Sequence, residues 1–294
     1  MTLLDPATIA RAEALGLYAR TIVEGPTSGD NRSPFHGFSV EFSQHRQYVP
    51  GDDLRHLDWK ILGRSDRYFV KRYQQETNYA CQLLVDSSES MAYGGGESNK
   101  LDYARRLAAC LAYLVLKQRD TASLRVFDQT ITASLPKTSS IAGIGPILAT
   151  LARLDARGTT AIPATLERIA GESARRGIVV LISDLLDDEE AIIRGIQHLT
   201  FAGQEVIVLH VMHHDELSFD FTRPMRFDGL EMPEQLTIRP ADIRVTYLNE
   251  LNAFRTRVRE GCERANCHYV LLDTGRPMSE TLSAYLAFRA RVRK

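Results

Sequence analysis

Three short stretches of this chain are mostly apolar, with the apolar residues adjacent rather than alternating: "CQLLV" at 81–85, "GIVVLIS" at 177–183 and "EVIVLHV" at 205–211. A strand with one wet face alternates apolar and polar residues, because successive side chains point to opposite sides. These stretches do not alternate, so both of their faces must be covered. Between them lie segments with apolar residues at helical spacing, such as "KLDYARRLAACLAYLVLKQ" and "DEEAIIRGIQHLTFAG". Buried strands alternating with helices predict a mostly parallel sheet with helices on both faces, a doubly wound α/β domain. "TASLRVFD" and "TITASL" are close enough in sequence to form a hairpin. A long helix near 240–266, the strand "HYVLLDT" and a last helix, "SETLSAYLAFRARV", complete the expected domain.

The expected domain runs from 79 to 294. Residues 1–78 read differently. Asp5 and Pro6 open a helical pattern to about residue 23, "EGPTSGDNRSPFHG" is a loop by composition, and 38–78 are dense in charge and aromatics. That section has too few apolar residues for a core of its own and is expected to pack on the α/β domain as an arm.

Charge and cysteines narrow the function classes. The 36 basic and 37 acidic side chains leave a formal net charge of -1, so no general electrostatic drive toward nucleic acid or anionic lipid exists. Cys81, Cys110, Cys262 and Cys267 show no CxxC spacing, which argues against a zinc knuckle or a disulfide scaffold and suits a reducing compartment. The first residues lack a basic region followed by an apolar core, so no signal peptide is expected. The most apolar helical run, "LAACLAYLVL", is about half the ~20 residues a bilayer requires. The expectation is a cytoplasmic protein without direct membrane insertion.

The chemistry gathers where the first apolar run ends, in "LLVDSSESM". Functional groups of open α/β sheets collect beyond the carboxyl ends of strands. Asp86 ends one strand and Asp184 another, while "RGTTAIPATL" puts Thr159 and Thr160 just ahead of a helix. With Ser88 and Ser90 these are oxygen donors only, the set that Mg²⁺ or Mn²⁺ prefers. The plainer reading is that Ser88 or Ser90 caps the next helix. An aspartyl-phosphate phosphatase would want a carboxylate where Ser88 stands, "DSSES" has no nucleophile elbow, and "YGGGESNK" lacks the Gly-Lys-Ser/Thr of a phosphate loop. No catalytic residue is identified. "HVMHHDE" brings His210, His213, His214 and Asp215 together, and reads as a solvated loop rather than a zinc site. Residues past a strand end should not fill the core, so loss of Asp86 or Ser88 is expected to leave the fold intact.

The order Asp86, Ser88, Ser90, then Thr160, then Asp184 resembles the metal-ion-dependent adhesion site of von Willebrand factor A-type domains. Thr160 is favoured over Thr159 because it lies six residues before Leu166, as in that family's loop-to-helix pattern. The stretch ahead of it, "FSVEFSQHRQYVPGDDLRHLDWKILGRSDRYFVKRYQQE", resembles the signature of the domain-of-unknown-function 58 family. Its core falls on Arg46, Tyr48, Pro50, Gly51, Asp52, Asp53, Arg55, Asp58 and Trp59. Members are bacterial or archaeal proteins commonly encoded beside MoxR-type AAA+ ATPases. The resemblances imply a non-enzymatic, metal-dependent interaction module holding Mg²⁺ or another divalent cation such as Mn²⁺. Its partner would be a MoxR-type ATPase or a client of it, docking a carboxylate at the metal, and not nucleic acid. A Mg²⁺-dependent phosphoester hydrolase is the alternative. Read physically, the signature is either an ion-pair network docking the arm, with Trp59 as buried anchor, or a recognition surface, since Trp, Tyr and Arg dominate interfaces.

Overall fold

A computed structural model describes residues 3–7, 9–10, 40–49, 57–65, 68–75, 80–173, 175–223, 225–228, 235–280 and 282. Contacts divide the chain into two units, one comprising Met1–Thr27 with Tyr79–Lys294, the other Ser28–Asn78. The single arm expected over 1–78 is therefore split. Leu3, Leu4 and Ile9 pack against the core of the larger unit, because the first residues carry apolar side chains at helical spacing.

The larger unit is the expected α/β domain. Its strands are β3 (Ala80–Asp86), β4 (Thr121–Phe127), β5 (Ile131–Thr138), β6 (Gly177–Ser183), β7 (Gln204–Met212) and β10 (His268–Asp273). They form one six-stranded sheet in the order β10-β7-β6-β3-β4-β5. All pairings are parallel except the β4–β5 hairpin at the edge. The chain starts at β3 in the middle, moves out to β5, then returns to β6 on the other side of β3. The order therefore reverses between β3 and β6, and the carboxyl ends of these two strands frame the crevice where such sheets place their sites.

Period-two alternation divides β3 between two cores. Cys81, Leu83 and Val85 face a core built with the helix Lys100–Lys117, while Leu84 faces one built with the helices Ile162–Glu172, Glu189–Phe201 and Pro240–Arg264. Every residue of β6 is buried, as its uninterrupted apolar run predicts. The helix Lys100–Lys117 begins where the Asn99 side chain accepts a hydrogen bond from Asp102 N at 3.0 Å, satisfying one of the free N–H groups of its first turn. The four cysteines are buried free thiols. Burial pushes Cys81 up to about 12 and Cys110 up to about 11, which keeps both unreactive at neutral pH.

Between β7 and the long helix, β8 (Met225–Asp228) and β9 (Gln235–Ile238) form a separate antiparallel ribbon. The sequence pattern alone predicts only an irregular stretch here.

The smaller unit carries β1 (Val40–Gln47) antiparallel to β2 (Phe69–Gln75), with a bulge between Phe42 and Gln44, and a helix over Trp59–Ser65. Asp58 is buried and caps that helix, its Oδ1 accepting from Ile61 N at 3.2 Å. Leu57 and Val70 are buried, whereas Trp59, at the first helical position, is 66% exposed. Trp59 is not the buried anchor the sequence suggests. Trp59→Ala is accordingly expected to lower stability by less than about 1 kcal/mol, as surface substitutions do. Thermal unfolding of the variant checks this, and a loss of several kcal/mol would restore the anchor role. Tyr48 sits beside Tyr68, ring centroids 6.2 Å apart. Arg46 lies in β1 paired with Val70. Asp52, Asp53 and Arg55 fall outside the described residues, as do the N-terminal loop and most of the last helix.

Candidate metal centre

Three chain segments meet at the carboxyl ends of β3 and β6, and the backbone holds them there. Glu89 N donates to Gly158 O at 2.8 Å and Arg157 N to Ser87 O at 2.9 Å, tying the loop before Thr160 to the loop after β3. Gly158 has φ +67°, a left-handed conformation suited to glycine. Ile162 N, at the start of the helix that follows Thr160, donates to Asp187 Oδ2 at 3.0 Å. The segment after β6 thereby caps that helix and completes the triangle.

Asp86 stands at the centre and is wholly buried. Its Oδ1 accepts from Ser88 N at 2.9 Å. Its Oδ2 accepts from Thr160 Oγ1 at 3.0 Å and Ser183 Oγ at 2.6 Å. Ser88 Oγ and Ser90 Oγ lie 3.1 Å apart. Ser88 precedes a short 3-10 turn over Glu89–Ala92, but its side chain makes no capping hydrogen bond there. The hydroxyl is turned to Ser90 instead, against the helix-cap reading. Thr159 is drawn off by Gln129, whose Nε2 donates to its Oγ1 at 2.8 Å. Thr160 is the threonine that meets Asp86.

Asp184 belongs to the same cluster but faces elsewhere. Its Oδ2 accepts from Lys100 Nζ at 2.8 Å, and the same ammonium reaches Glu216 Oε1 at 2.9 Å. Lys100 is 1% exposed and lies 5.9 Å from the Tyr93 ring centroid. Burial alone would pull Lys100 down, yet Asp184 and Glu216 outweigh it and hold its pKa above the ordinary lysine range. For Asp86, burial is the largest influence and the nearby Asp184 charge the next. Together they overcome the hydrogen bonds from Ser183 and Ser88 and push Asp86 up to about 7.

The backbone just past Asp184 is strained. Leu185 has φ +58°, a conformation that costs a non-glycine residue roughly 1–2 kcal/mol. Its side chain is fully buried in the second core, and its N–H donates to Ser183 Oγ at 3.0 Å. Core burial and that bond hold the kink that turns Asp184 toward Lys100.

Sequence reasoning misses Ser183, Lys100 and Glu216. Ser183 is hidden inside an apolar strand, and Lys100 reads as the solvated start of an amphipathic helix. The histidines are dispersed rather than gathered in a solvated loop. His210 is buried in β7, with Nδ1 2.7 Å from Tyr269 Oη. His213 caps the short helix His214–Ser218, and His214 pairs with Asp273 at 3.0 Å. Among the described residues no three His, Cys, Asp or Glu are grouped to hold a metal ion. The donors at Asp86 differ from such a group: hydroxyls with a central carboxylate, a set that suits a hard cation.

Residues 44–257 match the family model described as "Protein of unknown function DUF58". The chain belongs to the DUF58 family. It is similar to Uncharacterized protein Mb1516 of Mycobacterium bovis (strain ATCC BAA-935 / AF2122/97) and to Uncharacterized protein Rv1480 of Mycobacterium tuberculosis (strain ATCC 25618 / H37Rv). Each is 26% identical over 187 residues, 62% of this chain and 58% of the relative. This DUF58 chain thus spans somewhat more than half the length of the curated relatives it matches. Among solved structures it is similar to the conserved hypothetical protein BatB from Bacteroides thetaiotaomicron (17% identity, TM-score 0.45, covering 72% of this chain and 99% of that one). It is also similar to an aerotolerance-related membrane protein from Bacteroides fragilis (18%, 0.48, 73% and 99%) and to the SpRpn10 VWA domain (14%, 0.42, 71% and 94%). The DUF58 chain has no helix long and apolar enough to cross a membrane among its described residues.

Proposed function

We propose that this DUF58 protein is a non-enzymatic interaction module that binds a protein partner through a divalent cation, Mg²⁺ or Mn²⁺. The observation that carries the reading is the convergence of Ser88 and Thr160 on the buried Asp86, with the Ser90 hydroxyl against that of Ser88, at the switch point of the sheet. The three hydroxyls would bind the cation directly, and Asp86 and Asp184 would act largely through bound waters. Neutral ligands leave much of the cation's charge uncompensated, so a carboxylate from another protein would complete the site. By family resemblance the partner is a MoxR-type AAA+ ATPase or one of its clients, and the setting the cytoplasm. The exposed Trp59 on the smaller unit, in the segment that carries the family signature, offers a second place suited to recognition.

The hydrolase alternative gains less support. Phosphate chemistry needs a free cationic clamp, and Lys100 is engaged by Asp184 and Glu216.

The site is expected to bind one divalent cation weakly in the absence of a partner. Calorimetric titration of Mg²⁺ or Mn²⁺ tests this: the wild type should give a saturable heat that Asp86→Ala lacks. The same heat from both proteins would rule the site out.

A further inference from the structure

Lys100 is the one feature of the site that a simple cation cradle does not require. A lysine is almost never fully buried. Ordering its long side chain and stripping its ammonium of water are both unfavourable. Here the ammonium is fixed between Asp184 Oδ2 at 2.8 Å and Glu216 Oε1 at 2.9 Å. Glu216 is itself held, its Oε2 accepting from His213 N at 2.7 Å. The helix Lys100–Lys117, the end of β6 and the helix His214–Ser218 each supply one member of this buried triad.

We infer that Lys100 sets the charge of the site, weakening its hold on a divalent cation and freeing the loaded site of the negative charge that would repel an external carboxylate. This rests on the cation-site reading above and deepens it. Asp86, Asp184 and Glu216 are three carboxylates and Lys100 one ammonium, a formal sum of two negative charges. A divalent cation brings that sum to zero, so the loaded site carries no surplus negative charge to repel an acidic partner. Without Lys100 the loaded site would stay negative by one charge and would repel an acidic ligand. Lys100 also keeps Asp184 Oδ2 occupied, leaving Asp86 and the hydroxyls to face the cation. Charge, and not only shape, then makes the site open to its partner only when loaded.

Calorimetric titration with MgCl₂ or MnCl₂, paired with thermal unfolding in metal-free buffer, tests the inference on three variants of the full chain. Lys100→Met removes the charge and keeps the length. It should bind the cation at least about tenfold tighter, because a unit positive charge is removed from the buried site. Glu216→Gln keeps an acceptor for His213 N but leaves Lys100 with one less counter-charge, so cation binding should weaken. The double variant restores the wild-type charge sum and should bind close to wild type. Unchanged or weaker binding by Lys100→Met would overturn the inference and make the triad purely structural. Should Lys100→Met fail to fold, Glu216→Gln decides: weaker binding supports the inference, and equal or tighter binding overturns it. Absence of heat from the wild type and every variant would instead overturn the cation reading itself, and the inference with it.

Discussion

Replacing Asp86 by Asn is expected to change how the metal-free protein responds to pH. Burial and the Asp184 charge push Asp86 up to about 7 in the folded chain, against 3.8 for an unperturbed carboxyl. Between those values the folded chain holds a proton that the unfolded chain has released. The contribution of Asp86 is therefore fully present below about pH 4 and is lost as pH rises through about 7. Each tenfold change in proton affinity is worth about 1.36 kcal/mol, so the contribution amounts to a few kcal/mol. His210 works in the opposite direction. Burial holds it down at about 4 against 6.5, so its contribution is present above about pH 6.5 and is lost as pH falls through about 4. In the wild type the two slopes oppose each other between pH 4 and 6.5. In Asp86→Asn only the His210 slope remains, and stability should climb with pH across that window. Denaturant unfolding of both proteins from pH 4 to 7.5 in metal-free buffer measures the difference. Superimposable profiles would mean that Asp86 is no burdened carboxylate. Saturating Mg²⁺ should stabilise the wild type most near neutral pH, where binding no longer has to displace a proton, and should leave Asp86→Asn unmoved.

The doubly wound sheet is legible in the sequence because its signal is redundant. "GIVVLIS" can be satisfied only between two covered faces, and helical periodicity lies between successive runs of this kind. Asp86, Ser88, Ser90 and Thr160 are legible because strand ends are marked by composition and the sheet rule says where they gather. What the sequence hides is tertiary. Ser183 looks like a strand residue until β6 is set beside β3, when its hydroxyl lands 2.6 Å from Asp86. Lys100 is 84 positions from Asp184 and 116 from Glu216, and no local pattern announces a buried ammonium. Trp59 misleads for a related reason. A lone Trp in a polar segment suggests an anchor, yet at the start of the helix that Asp58 caps Trp59 is exposed while Leu57 is buried. Asp86, at a strand end, is expected to stand clear of the core. It is instead fully buried with three hydrogen-bond donors, because the converging loops close over it.

That burial shapes the second large effect, the loss of cation-dependent partner binding in Asp86→Ala and Ser88→Ala. Asp86→Ala removes a poorly solvated carboxylate and relieves its repulsion with Asp184. It also strips an acceptor from Ser183, Thr160 and Ser88 N, and leaving a buried donor unsatisfied costs about 1–3 kcal/mol. These effects oppose, so the fold in metal-free buffer should survive with a modest change in stability. Ser88→Ala removes only a hydroxyl paired with Ser90 and should be milder still. Binding should respond quite differently, because each variant loses an oxygen of the proposed cation site. The most direct measurement is surface plasmon resonance on the immobilised wild type, Asp86→Ala and Ser88→Ala. The nucleotide-free MoxR-type ATPase of the native host is passed over them in Mg²⁺ and then in chelator, after thermal unfolding has confirmed that each variant is folded. A cation-bridged partner predicts wild-type binding that chelator abolishes, and binding at least about tenfold weaker in both variants even with Mg²⁺, a loss of about 1.4 kcal/mol or more. Equal binding by the wild type and Asp86→Ala, or binding indifferent to chelator, would contradict it and move the docking surface away from the cation site.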